Sequence, residues 1–158
     1  MDETKELNLD QKVTVRNLAA WPVTFRRIDG TGDINIPPNA TARMTRNEII
    51  SQVQNSNKLF AGKDGVGSHA TLFVEDAPTR IEVGFDDVDE KRQQNVFSDD
   101  KVKSLFAIKT KNSFENKLKT EIVTRAEKRA LIDSIKRLKL NDYEKIRTIE
   151  QYTGIKMN

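Results

Sequence analysis

Between Lys12 and Phe85 apolar side chains recur at every second position, and from Ser98 onward they recur at every third and fourth. Extended backbone sends successive side chains to opposite faces, whereas a helix brings i, i+3 and i+4 to one face. A chain that changes period once is therefore a strand-rich segment followed by a helical one. The sequence reads as an α+β protein in four parts: an N-terminal extension over 1–10, a β-rich module over 11–86, a linker over 87–97 and a basic helical region over 98–158. The linker is polar but holds neither Gly nor Pro, so it reads as extended and docked rather than freely flexible. Limited proteolysis is expected to cut first between Asp86 and Phe97.

Six alternations mark strands in the module. Val13 and Val15, Val23 and Phe25, Ile34 and Ile36, Ala42 and Met44, Ala70 with Leu72 and Val74, and Ile81 with Val83 and Phe85 each define one face. Asp29-Gly30-Thr31-Gly32 and Asp64-Gly65 supply the residues that tight turns accept. Pro37-Pro38-Asn39 ends a strand, because proline has no N–H for a ladder. Short antiparallel strands at this spacing suit a small sandwich or barrel, with Val15, Phe25, Ile36, Leu72, Val83 and Phe85 as its core. One helix interrupts them. Thr45-Arg46-Asn47-Glu48 has capping-box spacing, and Ile49, Ile50 and Val53 follow at helical intervals, predicting a helix from about Arg46 to Gln54.

Four helices are expected in the C-terminal region. Val102, Leu105 and Phe106 mark the first, and Phe114, Leu118, Ile122 and Val123 the second. A second capping box, Thr124-Arg125-Ala126-Glu127, opens the third, with Leu131, Ile135 and Leu138 on one face. Asn141 is read as N-cap of the fourth, with Tyr143, Ile146, Ile149 and Tyr152 along its apolar side and Gly154 as its stop. The short connection between the last two favours an antiparallel helical hairpin.

Charge divides the chain in the same place. Residues 1–100 hold 12 Lys and Arg against 17 Asp and Glu, a net of −5, and residues 101–158 hold 15 against 7, a net of +8. Halves of opposite sign point to different neighbours. The chain has no Cys and one His, which leaves no disulfide scaffold, thiolate metal site or His-rich zinc site. No apolar run approaches 18 residues, and the acidic start Met1-Asp2-Glu3 is unlike a signal peptide, so a soluble protein of a reducing cytoplasm is expected.

Few routes to catalysis are visible. Gly62-Lys63-Asp64-Gly65-Val66-Gly67-Ser68 lacks the Lys-Ser/Thr of a phosphate loop, and a strand rather than a helix is expected after it, so it reads as a glycine-rich hairpin loop. His69 falls opposite the Ala70–Leu72–Val74 face, and no separated Ser and Asp are placed to converge on it. Asp86-Asp87 and Asp89-Glu90 sit in a charged run, where nothing raises a carboxyl pKa for acid catalysis. No cofactor and no small-molecule substrate are expected. Trp21, between two strands, and Phe73, on an outer strand face, are candidate partner contacts. Lys136, Arg137, Lys139, Lys145 and Arg147 form a basic cluster that suits an acidic protein surface or, alternatively, nucleic acid. Glu127, Asp133, Asp142, Glu144 and Glu150 interleave with them and break any continuous phosphate-tracking stripe.

The run Val13-Thr14-Val15-Arg16-Asn17-Leu18 through Ile36-Pro37-Pro38-Asn39-Ala40 to Glu48-Ile49-Ile50 resembles a small β-module of tailed-bacteriophage virion accessory proteins. The block Asn57-Lys58-Leu59-Phe60-Ala61-Gly62-Lys63-Asp64-Gly65 and the strand Ala70–Glu75 are similar too. The resemblance covers about the first 85 residues. It implies a non-enzymatic structural component of the head or connector region, made in the bacterial host cytoplasm, located in the virion and bound to other virion subunits.

Overall fold

A computed structural model of the chain describes residues 7–88 and 94–157. The described residues form, in order, β1 (Lys12–Asn17), β2 (Val23–Arg26), β3 (Asp33–Ile36), β4 (Thr41–Thr45), α1 (Arg46–Gln54), α2 (Lys58–Ala61), β5 (Leu72–Val74), α3 (Ala77–Glu82), α4 (Asp99–Ala107), α5 (Lys111–Glu121), α6 (Arg125–Arg137) and α7 (Tyr143–Thr153). The fold is α+β. The chain divides into one unit of Met1–Asn17 with Trp21–Val96 and a second of Leu18–Ala20 with Phe97–Asn158.

In the first unit β1 is the middle strand of a three-stranded antiparallel sheet, ordered β4-β1-β5, and β2 and β3 form a separate hairpin. The sheets do not close into a barrel. Alternation explains the ladder: Val13 and Val15 are buried while Lys12 is exposed, and Val15 lies opposite both Ala42 of β4 and Val74 of β5. Val23 pairs with Ile36 and Phe25 with Ile34, and all four are buried. The Phe25 and Phe60 rings meet edge to face, 5.3 Å between centroids. Asn17 is fully buried at the end of β1. Its amide nitrogen lies 2.8 Å from the Trp21 carbonyl, 3.1 Å from that of Ile36 and 3.2 Å from that of Pro37. It joins the end of the sheet to the hairpin by satisfying carbonyls that burial would otherwise orphan.

The α1 helix runs over the expected residues, but its capping carboxylate works differently. Thr45 accepts from the Glu48 N–H at 3.1 Å, as a cap should. Glu48 does not return the bond. Buried to 1% exposure, it accepts from the Ile28 and Asp29 N–H groups at 2.9 and 2.8 Å, which anchors the β2–β3 turn to the helix. Part of the expected N-terminal extension is also tied down: the Arg46 N–H donates to Gln11 O and the Asn47 N–H to Leu9 O.

The expected strand through Ile81, Val83 and Phe85 is absent; those residues belong to α3 and the turn after it. Asp76 caps the helix by accepting from the Thr79 N–H, and Pro78 sits in its first turn, where a missing N–H costs nothing. Val83 is half-buried rather than core, and only Phe85 of the three is buried, after a reversal at Gly84 with φ +83°. The other five expected core residues, Val15, Phe25, Ile36, Leu72 and Phe85, are 8% exposed or less. The short helix α2 was not anticipated. It puts a helix, not a strand, before the glycine-rich loop, so that loop is not a hairpin turn. The strand after it is shorter than expected, beginning at Leu72, because His69 at φ +60° bends the chain away from extended geometry.

The second unit holds a core of Phe97, Val102, Leu105, Phe114, Leu118, Ile122, Ala130, Leu131, Ile132, Ile135 and Ile149. The Thr124–Glu127 capping box is complete: Thr124 accepts from the Glu127 N–H at 3.0 Å, and the Glu127 carboxylate accepts from the Thr124 N–H at 3.0 Å and the Val123 N–H at 2.9 Å. Glu127→Ala is expected to cost about 1–3 kcal/mol, because two partly buried N–H groups lose their acceptor; urea unfolding of the full chain followed by helical circular dichroism measures it. Asp142, not Asn141, caps α7, accepting from the Lys145 N–H, and Gly154 ends that helix in the left-handed conformation. Tyr143 is 71% exposed and leaves the apolar face expected for it. In this unit α4 packs on α5 and α6, and α5 packs on α7. Between the last two helices, Lys128 Nζ of α6 lies 5.0 Å from the Tyr152 ring centroid of α7.

The linker expectation is met by structure only at its ends. Asp86 accepts from Arg80 Nε at 2.8 Å and from the Gln94 N–H at 2.8 Å, and Gln94 Nε2 donates to Gly67 O at 2.9 Å. Asp86 is thus a bound carboxylate and not a solvated one. Asp89, Glu90 and the rest of 89–93 lie outside the described residues.

Candidate interaction surfaces

The seven residues singled out in the sequence scatter over the two units and fall into two groups. Arg137 and Lys145 are committed to their own unit. Arg137 holds Asp99 with two bonds, Nη1 to Oδ2 at 2.8 Å and Nη2 to Oδ1 at 2.9 Å. The guanidinium bonds, reinforced by Ser134 and opposed by partial burial, keep the Asp99 carboxyl below its ordinary range. Both side chains are about two-fifths exposed, so the pair contributes on the order of 0–1 kcal/mol. Lys145 Nζ donates to the Phe106 carbonyl at 2.9 Å and to Asp142 at 3.2 Å, and lies 5.8 Å from the Phe114 ring centroid. It clips α7 to the end of α4. The groove of about 330 Å³ beside it carries Lys109 and Lys111 as well as Asp142 and Glu144, so it has no single sign of charge.

Lys136, Lys139 and Arg147 are exposed. Sequence reading missed two further cations: Arg125 and Arg129, both exposed, one turn apart on α6. With Lys136 they fall at i, i+4 and i+11, one helical face, interrupted by exposed Asp133 at i+8. That spacing was legible in the sequence, because α6 was correctly placed.

Trp21 is 36% exposed, and its carbonyl is held by Asn17. Phe73 lies on the outer face of β5 as expected, but it is half-buried, with the Arg80 guanidinium 4.9 Å from its ring centroid. Arg80 also bonds Asp86 and the Val74 carbonyl, so the cation over Phe73 is fixed from two other sides.

The glycine-rich loop is closed on itself. Asp64 accepts from the Val66 and Ser68 N–H groups, Lys63 N–H donates to Ser68 O, and Gly67 N–H donates to Ala61 O. A Cβ on Gly62 would stand 2.2 Å from Ser68 O, at φ +72°, so only glycine fits there. The Lys63, Val66, Gly67 and Ser68 N–H groups are thus spent on acceptors of the protein itself, an arrangement that closes a turn. The His69 N–H donates to Asn95 O.

No group of three or more His, Cys, Asp or Glu side chains converges as a metal site among the described residues. Among them no helix is long and apolar enough to cross a membrane. Compared with models of known protein families, with curated proteins and with solved structures, the chain matches none.

Proposed function

We propose that this protein is a non-enzymatic structural component of a tailed-bacteriophage particle, an accessory protein of the head or connector region that binds neighbouring virion subunits. The observation that carries this reading is the mixed-charge face of the helical unit. Exposed Arg125, Arg129 and Lys136 share a face of α6 with exposed Asp133, and Lys139 after α6 and Glu144 and Arg147 on α7 are exposed as well. A protein surface of complementary pattern fits such a face, and opposite-sign patches set register and approach. The resemblance of the first 85 residues to a virion β-module supports the same reading. The runner-up is a small nucleic-acid-binding protein, which the Arg125–Arg129 pair favours.

One experiment separates them. A variant with Arg125, Arg129, Lys136, Lys139 and Arg147 changed to Ala leaves the structural Arg137 and Lys145 in place, so its fold is expected to persist. The structural reading expects the parent to co-sediment with particles, the variant to be lost from them, and neither to shift duplex or single-stranded DNA at moderate salt. Tight DNA binding by the parent that weakens steeply with salt, about one counterion per phosphate neutralised, overturns it.

A further inference from the structure

The three-stranded sheet has two edges, and the structure treats them differently. At β5 the Val74 carbonyl accepts from Arg80 Nη1 at 2.6 Å, so α3 closes that side. At β4 nothing equivalent occurs. Asn17 N–H donates to Ala40 O and Arg46 N–H to Gln11 O, which places the pairs 17–40, 15–42, 13–44 and 11–46 as the bonded rungs toward β1. The N–H and C=O groups of Thr41 and Arg43 therefore point away from the sheet, and among the described residues none has a hydrogen-bond partner. Thr41 and Arg43 are exposed. β4, with 5 residues, is the longest strand of the described set that has one side unpaired.

The charge beside this edge is positive, although the unit as a whole is acidic. Arg43 lies opposite Thr14 and diagonal to Lys12, whose carbonyl its Nη2 reaches at 3.0 Å; both side chains are exposed on the outer sheet face, and no carboxylate of the described residues pairs with either. The acids nearby are committed elsewhere, Glu75 to Arg16 and Asp76 to Arg46. We infer that β4 accepts an added strand from a partner protein: an extended segment with carboxylates at alternate positions, its backbone bonded to Thr41 and Arg43 and its acids over Arg43 and Lys12. A residue bonded opposite Arg43 has its side chain on the same face about 5 Å away, and the guanidinium, which has five N–H donors and spends one on the Lys12 carbonyl, keeps donors for an acid placed there. A second copy of β4 fits badly, since two-fold registers centred at Ala42, Arg43 or Met44 bring two Arg43 side chains together on one face. The inference stands on the sheet geometry and does not depend on the virion assignment.

The test uses the full chain and two ten-residue peptides, one alternating Glu and Val and one alternating Lys and Val. Amide exchange at Thr41 and Arg43 is expected to slow by roughly tenfold or more with the Glu peptide at saturation and to stay unchanged with the Lys peptide. Arg43→Glu, an exposed change, is expected to abolish that protection with the melting curve intact. Arg43→Pro removes the outward N–H together with the guanidinium and is expected to abolish protection at Thr41; if it fails to fold, Arg43→Glu alone decides. No protection, equal protection by both peptides, or full binding by Arg43→Glu overturns the inference. Protection that rises with protein concentration in the absence of peptide also overturns it, in favour of self-association.

Discussion

Leu72→Asp is expected to unfold the β-rich unit. Leu72 is fully buried in β5, across from Asn17 of the central strand. Losing the leucine side chain costs about 2–5 kcal/mol, and an unpaired carboxylate in an apolar site adds several more. Domains of this size hold only about 5–15 kcal/mol in total. Leu72→Met, which keeps the volume, is expected to cost less than about 1.5 kcal/mol. Amide spectra of the full chain distinguish the units: signals of β1–β5 should collapse in Leu72→Asp, while those of α4–α7, whose core is built from Phe97 onward, should stay in place. An unchanged cooperative melt would put Leu72 on the wrong face of its strand.

Arg46→Met is expected to cost about 2–4 kcal/mol, because it strands the partly buried Asp76 carboxylate and leaves the other acceptors of a buried guanidinium unpaired. The Arg46 side chain is 7% exposed. Its Nε and Nη2 donate to Asp76 Oδ2 at 3.1 and 3.0 Å, Nε also lies 3.1 Å from Thr79 Oγ1, and Nη1 reaches Gln11 Oε1 at 3.2 Å. One guanidinium thus ties the start of α1 to the cap of α3 and to the segment before β1. Asp76→Ala alone should also destabilise, and the double variant by less than the sum of the two, since the second change removes a group already orphaned. The same cluster sets a pH dependence. Burial works to raise the Asp76 carboxyl, but the bonds from Thr79 and Arg46 outweigh it and hold the group below its ordinary 3.8. A carboxylate depressed in the folded state contributes stability above its unfolded value and loses that contribution as pH falls through the folded one. Stability should therefore decline as pH drops below about 4, and more shallowly in Asp76→Asn; equal slopes in urea titrations would show that Asp76 does not carry the effect.

Local chemistry was legible wherever a residue's partner lies close in sequence. The Thr124–Glu127 box, the Thr45 cap and the Gly154 stop are contacts within four residues, so spacing alone identifies them. The strands β1 to β4 were legible because one covered face demands alternation. Ile81, Val83 and Phe85 show where that rule misleads. Three apolar residues at period 2 also fit the last turn of a helix and the reversal after it, and the Asp76 cap with Pro78 decided for the helix. Asn141 lost to Asp142 for a similar reason: two adjacent cap-competent residues differ only in which side chain reaches a free N–H, here that of Lys145.

Amino-acid order by itself determined the α+β class, the reversal of charge between the two parts, and the change of period at residue 97, next to which the chain divides into units after Val96. These follow from side-chain size, charge and repeat, which need no partner to be defined. Tertiary structure alone decided how each polar group is used. Glu48 has the spacing of a capping-box acid but bonds a turn some twenty residues earlier. Arg137 and Lys145 look like members of a free basic cluster but hold Asp99 and the Phe106 carbonyl from 38 and 39 residues away. Arg43, ordinary in the sequence, stands beside the open edge of a sheet because β4 pairs on one side only. A hydrogen bond joins whichever donor and acceptor folding brings within about 3 Å, and that proximity across tens of residues is set by packing, not by spacing along the chain.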